Sequence, residues 1–169
     1  MIVEREYLSK PAEVELIPGV PQALQRLQQA GFRLIIVTNQ SGIGRGYFTE
    51  ADMHRVHERL GELLAPHRVR IERIYFAPEA PDQPSQGRKP SPRFLFEARD
   101  ELGLDLARSY MVGDKLLDLE CGWNAGVRQS VLVRTGYGAE TEARHPELHG
   151  RAVVVDDLGA AAAHICGRT

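Results

Sequence analysis

Short apolar runs alternate along the chain with segments in which apolar residues recur every three or four positions. The runs predict buried strands, and the spaced segments predict amphipathic helices. The predicted strands are "FRLIIV" at 32–37, "RIERIYFA" at 70–77, "SYMVG" at 109–113, "SVLVR" at 130–134 and "AVVV" at 152–155. Because helices and strands alternate, the pattern predicts an α/β fold built on a parallel sheet.

The predicted helices are marked by start and stop signals as well as by their apolar stripes. They begin after Pro18, after the capping box of Thr49 and Asp52, after Ser91-Pro92, at about Leu116 and in the alanine-rich C-terminal segment. Gly31 and Gly103 are placed to end two of them. The proline-rich segment at 77–92 is interpreted as a loop within the domain.

Composition narrows the range of partners. The 169 residues suit one domain, and a net charge of −2 gives no reason to expect nucleic acid or an anionic membrane surface. No segment approaches the roughly 20 apolar residues that a membrane span needs. The two cysteines form no metal-ligand cluster, so a reducing, cytoplasmic setting is expected.

Polar residues stand where two of the predicted strands end. Thr38, Asn39, Gln40, Ser41 and Gly42 follow the first strand and offer donors that suit phosphate oxygens. Asp114 and Lys115 follow the strand at 109–113, and Asp118 lies four residues after Asp114 on the same helical face. Ligands bind at the carboxyl ends of strands in open parallel sheets.

Two cations, Arg88 and Lys89, lie in the loop behind the second strand. Cations, carboxylates and donors at one sheet edge favour a phosphate ester bridged to Mg²⁺. Taken singly, each cluster is more typical of an ordinary turn or a solvated loop than of a binding site. For Arg45 the sequence does not distinguish between exposure to solvent and contact with an anion. The order of the clusters and their strand-end positions favour the joint interpretation.

The segments "TNQSGIGRG", "RKPSP" and "SYMVGDKLLDLECGWNAG" resemble motifs II, III and IV of the haloacid dehalogenase superfamily. More narrowly, they are similar to its histidinol-phosphatase-like branch. The similarity extends over nearly the whole chain, including "EYLSKPAEVELIPGV" near the front. It implies a Rossmann-like parallel sheet with helices on both faces, in a single domain over residues 1–169 without a separate cap domain.

The resemblance also implies roles for individual residues. Thr38, Arg88 and Lys89 would be catalytic: Thr38 holds the transferring phosphoryl group, Lys89 neutralises its charge and Arg88 helps to recognise substrate. Asp114 would ligate Mg²⁺, with Asp118 as a supporting carboxylate. Substrate contacts are assigned to Tyr7, Asn39, Gln40, Ser41, Arg45, Arg88, Lys89 and Lys115.

The activity implied is that of a cytoplasmic, monomeric, Mg²⁺-dependent phosphomonoesterase that works through an aspartyl-phosphate intermediate. The implied substrate is a small sugar bisphosphate, D-glycero-D-manno-heptose 1,7-bisphosphate, which loses its 7-phosphate. Histidinol phosphate is the alternative substrate within the same branch, and the sequence leaves the two open.

The chain departs from the family pattern at motif I, a strand that ends in Asp-x-Asp-Gly-Thr. No Asp-x-Asp occurs in the 169 residues. The family places this motif just before the segment that aligns with Met1, so Met1 is interpreted as an internal methionine or the start of a shortened chain. The nucleophile, the general acid/base, two Mg²⁺ ligands and the central first strand would then be missing, and the chain as given is expected to be inactive.

A second departure concerns zinc. Related enzymes often carry Cys-x-His and Cys-x-Cys in the loop after the second strand, where this chain has Ala77, Glu79, Ser85 and Gly87. No zinc is therefore expected. Two further hypotheses remain open: a non-catalytic sugar-phosphate-binding protein that has lost the nucleophile, and a regulatory or structural α/β protein that binds no phosphate.

Overall fold

The computed structural model describes residues 1–167, which fall into two compact units. The first unit comprises Met1–Arg88, and the second begins at Lys89. The single domain without a cap that the family resemblance implies stays a prediction.

The first unit is built around a pair of parallel strands, β1 (Leu34–Asn39) and β2 (Ile71–Ala77). Their last residues, Asn39 and Ala77, are in register, so the loops that follow leave the same edge of the sheet. The helices of this unit are α1 (Val20–Gln29), α2 (Ser41–Gly44) and α3 (Glu50–Leu64), with short 3₁₀ turns at Pro11–Glu13 and Ala65–His67.

The second unit contains a parallel sheet in the order β3-β4-β5. The strands are β3 (Tyr110–Gly113), β4 (Gln129–Val133) and β5 (Val153–Val155), and Gly113 pairs with Leu132. The helices are α4 (Arg93–Leu102), α5 (Leu116–Ala125), α6 (Gly138–Arg144) and α7 (Leu158–Cys166), with 3₁₀ turns at Leu106–Arg108 and Pro146–Leu148.

Strand β4 shows that helices cover both faces of this second sheet. Leu132 is fully buried in a cluster with Leu119 of α5, whereas Val131 and Val133 pack with Ala161 of α7. Successive side chains of a strand point to opposite faces, so α5 and α7 lie on opposite sides of the sheet. The predicted arrangement of helices on both faces is confirmed for this sheet.

The predicted elements agree with the structure to within a residue or two at their ends. The capping box is present: the Thr49 N–H donates to Asp52 Oδ2 at 2.7 Å, and the Asp52 N–H donates to Thr49 Oγ1 at 3.2 Å. Helices α2 and α6 were not predicted, because "SGIG" and "GAETEAR" are short and carry no apolar stripe.

The described strands form two parallel sheets, and none of them pairs with both β1 and β3. The family resemblance implies a central strand that would pair with both. The α/β class with parallel sheets is confirmed. Within residues 1–167, no helix combines the length and the apolar character that crossing a membrane requires.

Candidate functional site

The loop after β1 brings the first predicted site residues together. The Gln40 side-chain amide donates to Thr38 Oγ1 at 3.2 Å, and the Gln40 backbone N–H donates to the Ala77 carbonyl at 2.8 Å. The second bond ties the end of β1 to the end of β2. Asn39 ends β1 and Ser41 opens α2, so the polar cluster lies at the carboxyl edge of this sheet, as predicted.

Two glycines in this loop allow close packing. A Cβ on Gly44 would lie 2.5 Å from the Ala80 nitrogen, and the Gly44 N–H donates to the Pro78 carbonyl at 2.8 Å. A Cβ on Gly42 would lie 2.1 Å from a ring carbon of Phe48 and 2.8 Å from one of Tyr7. The loop therefore needs glycine at both positions, and Tyr7 lies directly against it.

The loop at 77–88 is closed by hydrogen bonds around Arg88. Ser85 Oγ donates to a Glu79 carboxylate oxygen at 2.8 Å and accepts from the Arg88 N–H at 3.1 Å. The Arg88 guanidinium donates in turn to the Glu79 carbonyl at 3.1 Å. Two of the four positions that would hold zinc in related enzymes are thus used to shape the loop. The absence of zinc itself stays a prediction.

In the second unit, Lys89 and Asp118 form a buried ion pair. Lys89 Nζ lies 2.6 Å from Asp118 Oδ1, and the two side chains are only 12% and 8% exposed. Asp118 Oδ2 accepts the N–H groups of Asp114 and Lys115 at 3.2 and 3.0 Å, which fixes the turn between β3 and α5. A Cβ on Gly113 would lie 2.3 Å from that oxygen. Asp118 therefore holds both the cation and the turn in place.

Asp114 is held by a segment that the sequence did not indicate. Its Oδ2 accepts the Tyr137 N–H at 2.9 Å, and its carbonyl accepts the Thr141 hydroxyl at 2.8 Å. The Lys115 ammonium lies 4.2 Å from the centre of the Tyr137 ring. A usable signal was the pair Gly136 and Gly138, which follow β4 at the same edge of the sheet as Asp114.

The acidic side chains of this turn, Asp114 and Asp118, provide few oxygens that could act as ligands to Mg²⁺. Both Asp118 oxygens are engaged, whereas Asp114 Oδ1 accepts no hydrogen bond from residues 1–167. Mg²⁺ prefers near-octahedral oxygen coordination. No group of three or more His, Cys, Asp or Glu side chains in the described residues could hold a metal ion. Asp114 has one carboxylate oxygen that could serve as a metal ligand, and these two side chains alone do not make an octahedral site.

The predicted site residues fall into two sets, one in each unit. Tyr7, Thr38, Asn39, Gln40, Ser41, Arg45 and Arg88 belong to the first, and Lys89, Asp114, Lys115 and Asp118 to the second. Arg45 is exposed to solvent. The structure adds Tyr137 and Thr141 to the second set. The catalytic and binding roles of all these residues stay predictions.

Removal of the Asp118 carboxylate is expected to destabilise the fold strongly. Asp118→Ala removes the carboxylate that forms the buried ion pair with Lys89 and deletes two hydrogen bonds of the turn. Breaking a buried pair in this way typically costs about 3–5 kcal/mol. Urea unfolding of wild type and of Asp118→Ala measures the difference in the free energy of unfolding. Asp100→Ala, which removes the exposed partner of Arg99, is the matched control and should leave the unfolding midpoint unchanged. Equal midpoints for Asp118→Ala and wild type would contradict the assignment.

Two models of known protein families match the chain, and between them they cover parts of both units. A family model described as HAD-hydrolase-like matches residues 86–161. A second model, described as polynucleotide kinase 3 phosphatase, matches residues 5–117. Together the two matches run through all of the predicted site residues.

Curated relatives are similar over most of their length. The chain is 42% identical over 150 residues to D-glycero-beta-D-manno-heptose-1,7-bisphosphate 7-phosphatase of Escherichia coli (strain K12), which covers 85% of this chain and 78% of the relative. It is 35% identical over 174 residues to D-glycero-D-manno-heptose-1,7-bisphosphate 7-phosphatase of Chlorobaculum tepidum, covering 96% of this chain and 87% of the relative.

Solved structures show the same likeness. The crystal structure of D,D-heptose 1,7-bisphosphate phosphatase from B. bronchiseptica, complexed with magnesium and phosphate, matches with a TM-score of 0.89 at 32% identity. The match covers 99% of this chain and 94% of that one. The corresponding phosphatase from Burkholderia thailandensis matches with a TM-score of 0.70 at 32% identity, over 96% of this chain and 94% of that one.

Proposed function

Since the chain belongs to the haloacid dehalogenase-like phosphatases, we propose that it acts in the Mg²⁺-dependent release of the 7-phosphate from D-glycero-D-manno-heptose 1,7-bisphosphate. The names of its relatives support this substrate, and the structure complexed with magnesium and phosphate supports the metal. The observation that carries the proposal is the buried Lys89–Asp118 pair, whose carboxylate also accepts the Asp114 N–H and so holds the turn that bears Asp114.

In this proposal each set of residues has its own task. Thr38, with Asn39, Gln40 and Ser41, donates hydrogen bonds to the oxygens of the phosphoryl group. Lys89 neutralises the charge that develops on that group as it transfers, and Arg88 binds a second anionic part of the substrate. Asp114 supplies one ligand to Mg²⁺, which when bound offsets further negative charge.

Hydrolysis by this route also needs an aspartate nucleophile. The family transfers the phosphoryl group to the first aspartate of an Asp-x-Asp motif, and the 169 residues contain no such motif. We propose that these 169 residues bind the phosphate group of the sugar phosphate and do not hydrolyse the ester. For these 169 residues taken by themselves, which contain no Asp-x-Asp, a non-catalytic sugar-phosphate-binding protein is the second candidate.

The substrate is tested on an extended chain in which an apolar strand ending in Asp-x-Asp-Gly-Thr precedes Met1. Phosphate release is measured with and without Mg²⁺ on two substrates, heptose bisphosphate and histidinol phosphate. We expect Mg²⁺-dependent release with a kcat/KM about tenfold or more higher for the heptose, because sites built to bind hydroxyls discriminate against substrates that lack them.

The other outcomes of this experiment are informative. A preference for histidinol phosphate would replace the proposed substrate by the alternative within the same branch. Phosphate binding without hydrolysis of either compound, in an extended chain that folds cooperatively, would favour the non-catalytic binder. The cytoplasmic location and the monomeric state belong to the same proposal, and size-exclusion chromatography with light scattering tests the latter.

A further inference from the structure

Two exposed tyrosines form a pair beside the loop that follows β1. The rings of Tyr7 and Tyr47 meet edge to face, with centroids 4.7 Å apart and an interplanar angle of 80°. The residues are 37% and 60% exposed, although most aromatic surface is buried in folded proteins. We refer to Tyr7 and Tyr47 as the tyrosine pair.

The tyrosine pair is attached to the loop through one glycine. The Tyr47 N–H donates to the Gly42 carbonyl at 2.8 Å, and the Tyr7 ring occupies the space that a Cβ on Gly42 would need. Gly46, with φ of +75°, makes the turn that returns the chain to Gly42. The next residue, Phe48, is buried against Gly42 as well. The Tyr7 ring and the Tyr47 backbone are therefore both held at Gly42, which follows Thr38–Ser41 directly in the loop.

The backbone of Tyr7 supports the same view. Its φ of +55° lies in the left-handed region, which a bulky L-residue seldom adopts. Such a conformation persists where the surroundings determine it, and it is frequent at ligand-binding positions. In this turn the Tyr7 ring lies against Gly42 and Tyr47.

We propose that the tyrosine pair is the subsite for the carbon skeleton of the sugar phosphate, and that Tyr47 is a specificity-determining residue for the substrate. The inference rests on the proposed function, because it takes the loop at Thr38–Ser41 to bind the phosphoryl group. An edge-to-face pair presents apolar ring surface to the C–H groups of a sugar. Its two phenol groups can exchange hydrogen bonds with sugar hydroxyls, which suits a polyhydroxylated substrate.

The geometry separates the two parts of the ligand. The hydrogen-bonding groups of Thr38–Ser41 suit an anion, whereas the tyrosine pair carries no charge to attract inorganic phosphate and has apolar ring surface that suits the carbon skeleton of a sugar. Loss of the Tyr47 ring should therefore weaken the binding of a sugar phosphate and leave the binding of inorganic phosphate unchanged. A merely structural role would weaken both equally.

The test compares wild type, Tyr47→Ala and Tyr47→Phe by isothermal titration calorimetry of the 169-residue chain. The probes are inorganic phosphate and D-glycero-D-manno-heptose 1,7-bisphosphate. Tyr47→Ala is expected to raise the Kd for the heptose bisphosphate about tenfold, while its Kd for phosphate stays within about twofold of wild type. Tyr47→Phe, which keeps the ring, is expected to retain most of the sugar affinity. Because Tyr47 is the more exposed ring, the melting temperature should not change.

Four results would overturn the inference. Tyr47→Ala with unchanged affinity for the heptose bisphosphate would show that the ring does not contact the sugar. Equal losses for both probes would assign Tyr47 to the shape of the loop. If wild type binds both probes with equal affinity, the sugar makes no contribution, and the subsite is refuted while the phosphate site is not. If wild type binds neither probe, the proposed function is refuted together with this inference.

Discussion

Purified as the 169-residue chain, the protein is expected to release no phosphate from D-glycero-D-manno-heptose 1,7-bisphosphate above the uncatalysed background. The covalent route requires an aspartate nucleophile, and no Asp-x-Asp is present to supply one. Loss of the nucleophile of such a route typically lowers kcat by orders of magnitude, on the scale of 10⁴-fold or more. Malachite-green detection of phosphate over hours, with Mg²⁺ present, makes the measurement.

The control for this prediction is the extended chain in which the strand and Asp-x-Asp-Gly-Thr precede Met1. Replacement of the first aspartate of that motif by asparagine keeps its size and should return activity to background. Mg²⁺-dependent turnover by the 169 residues alone would refute the assignment of roles, since some other group would then have to attack phosphorus.

In the active extended chain, Lys89→Ala is expected to lower kcat by about 10²-fold or more. The ammonium is almost enclosed and is held by Asp118, so its position is fixed before substrate arrives. A preorganised charge of this kind stabilises the transition state without reorganising, and removal of one such group typically costs 10²–10³ in kcat. Steady-state kinetics should show the change in kcat rather than in KM alone.

Lys10→Ala is the matched control, because Lys10 is an exposed lysine whose side chain is 74% accessible. It should leave kcat unchanged. Since Lys89→Ala also leaves Asp118 unpaired, kcat is compared well below the melting temperature of each variant, and Lys89→Ala/Asp118→Asn serves as a second comparison. If Lys89→Ala kept nearly full kcat while Arg88→Ala lost it, the roles of the two cations would have to be exchanged.

Most of the fold was predictable because it depends on local pattern. The run Leu34–Val37 and the stripe behind Thr49 show the periods of a buried strand and an amphipathic helix. Helix α6 was not predictable, because it depends on tertiary contacts. Its Thr141 hydroxyl donates to the Asp114 carbonyl, and its Glu142 carboxylate lies 2.7 Å from the Arg134 guanidinium. The residue pattern of a short polar segment does not indicate which residues it will contact in the folded protein.

The candidate site was predictable to a different extent. Thr38 and Asp114 could be located because the ends of parallel strands can be read from apolar runs, and both lie where those runs end. The hydrogen bonds and the ion pair of the two Asp118 oxygens could not be predicted from the sequence. They combine a local turn with Lys89, which comes from a loop distant in the sequence. The Tyr137 N–H that binds Asp114 is a backbone group, which has no signature in side-chain pattern.

Cys121 lies on α5, and its burial has a practical consequence for labelling chemistry. This thiol lies at zero exposure and donates to the Ser91 carbonyl at 3.3 Å, and its desolvation raises the pKa to about 11. At pH 7 only about one Cys121 in ten thousand is then a thiolate, the form that attacks maleimides. The half-buried Cys166, at the end of α7, is the more accessible of the two cysteines in the chain. A fluorophore can thus be attached to one position without mutagenesis, and the later appearance of a second label reports the opening of the protein around Cys121.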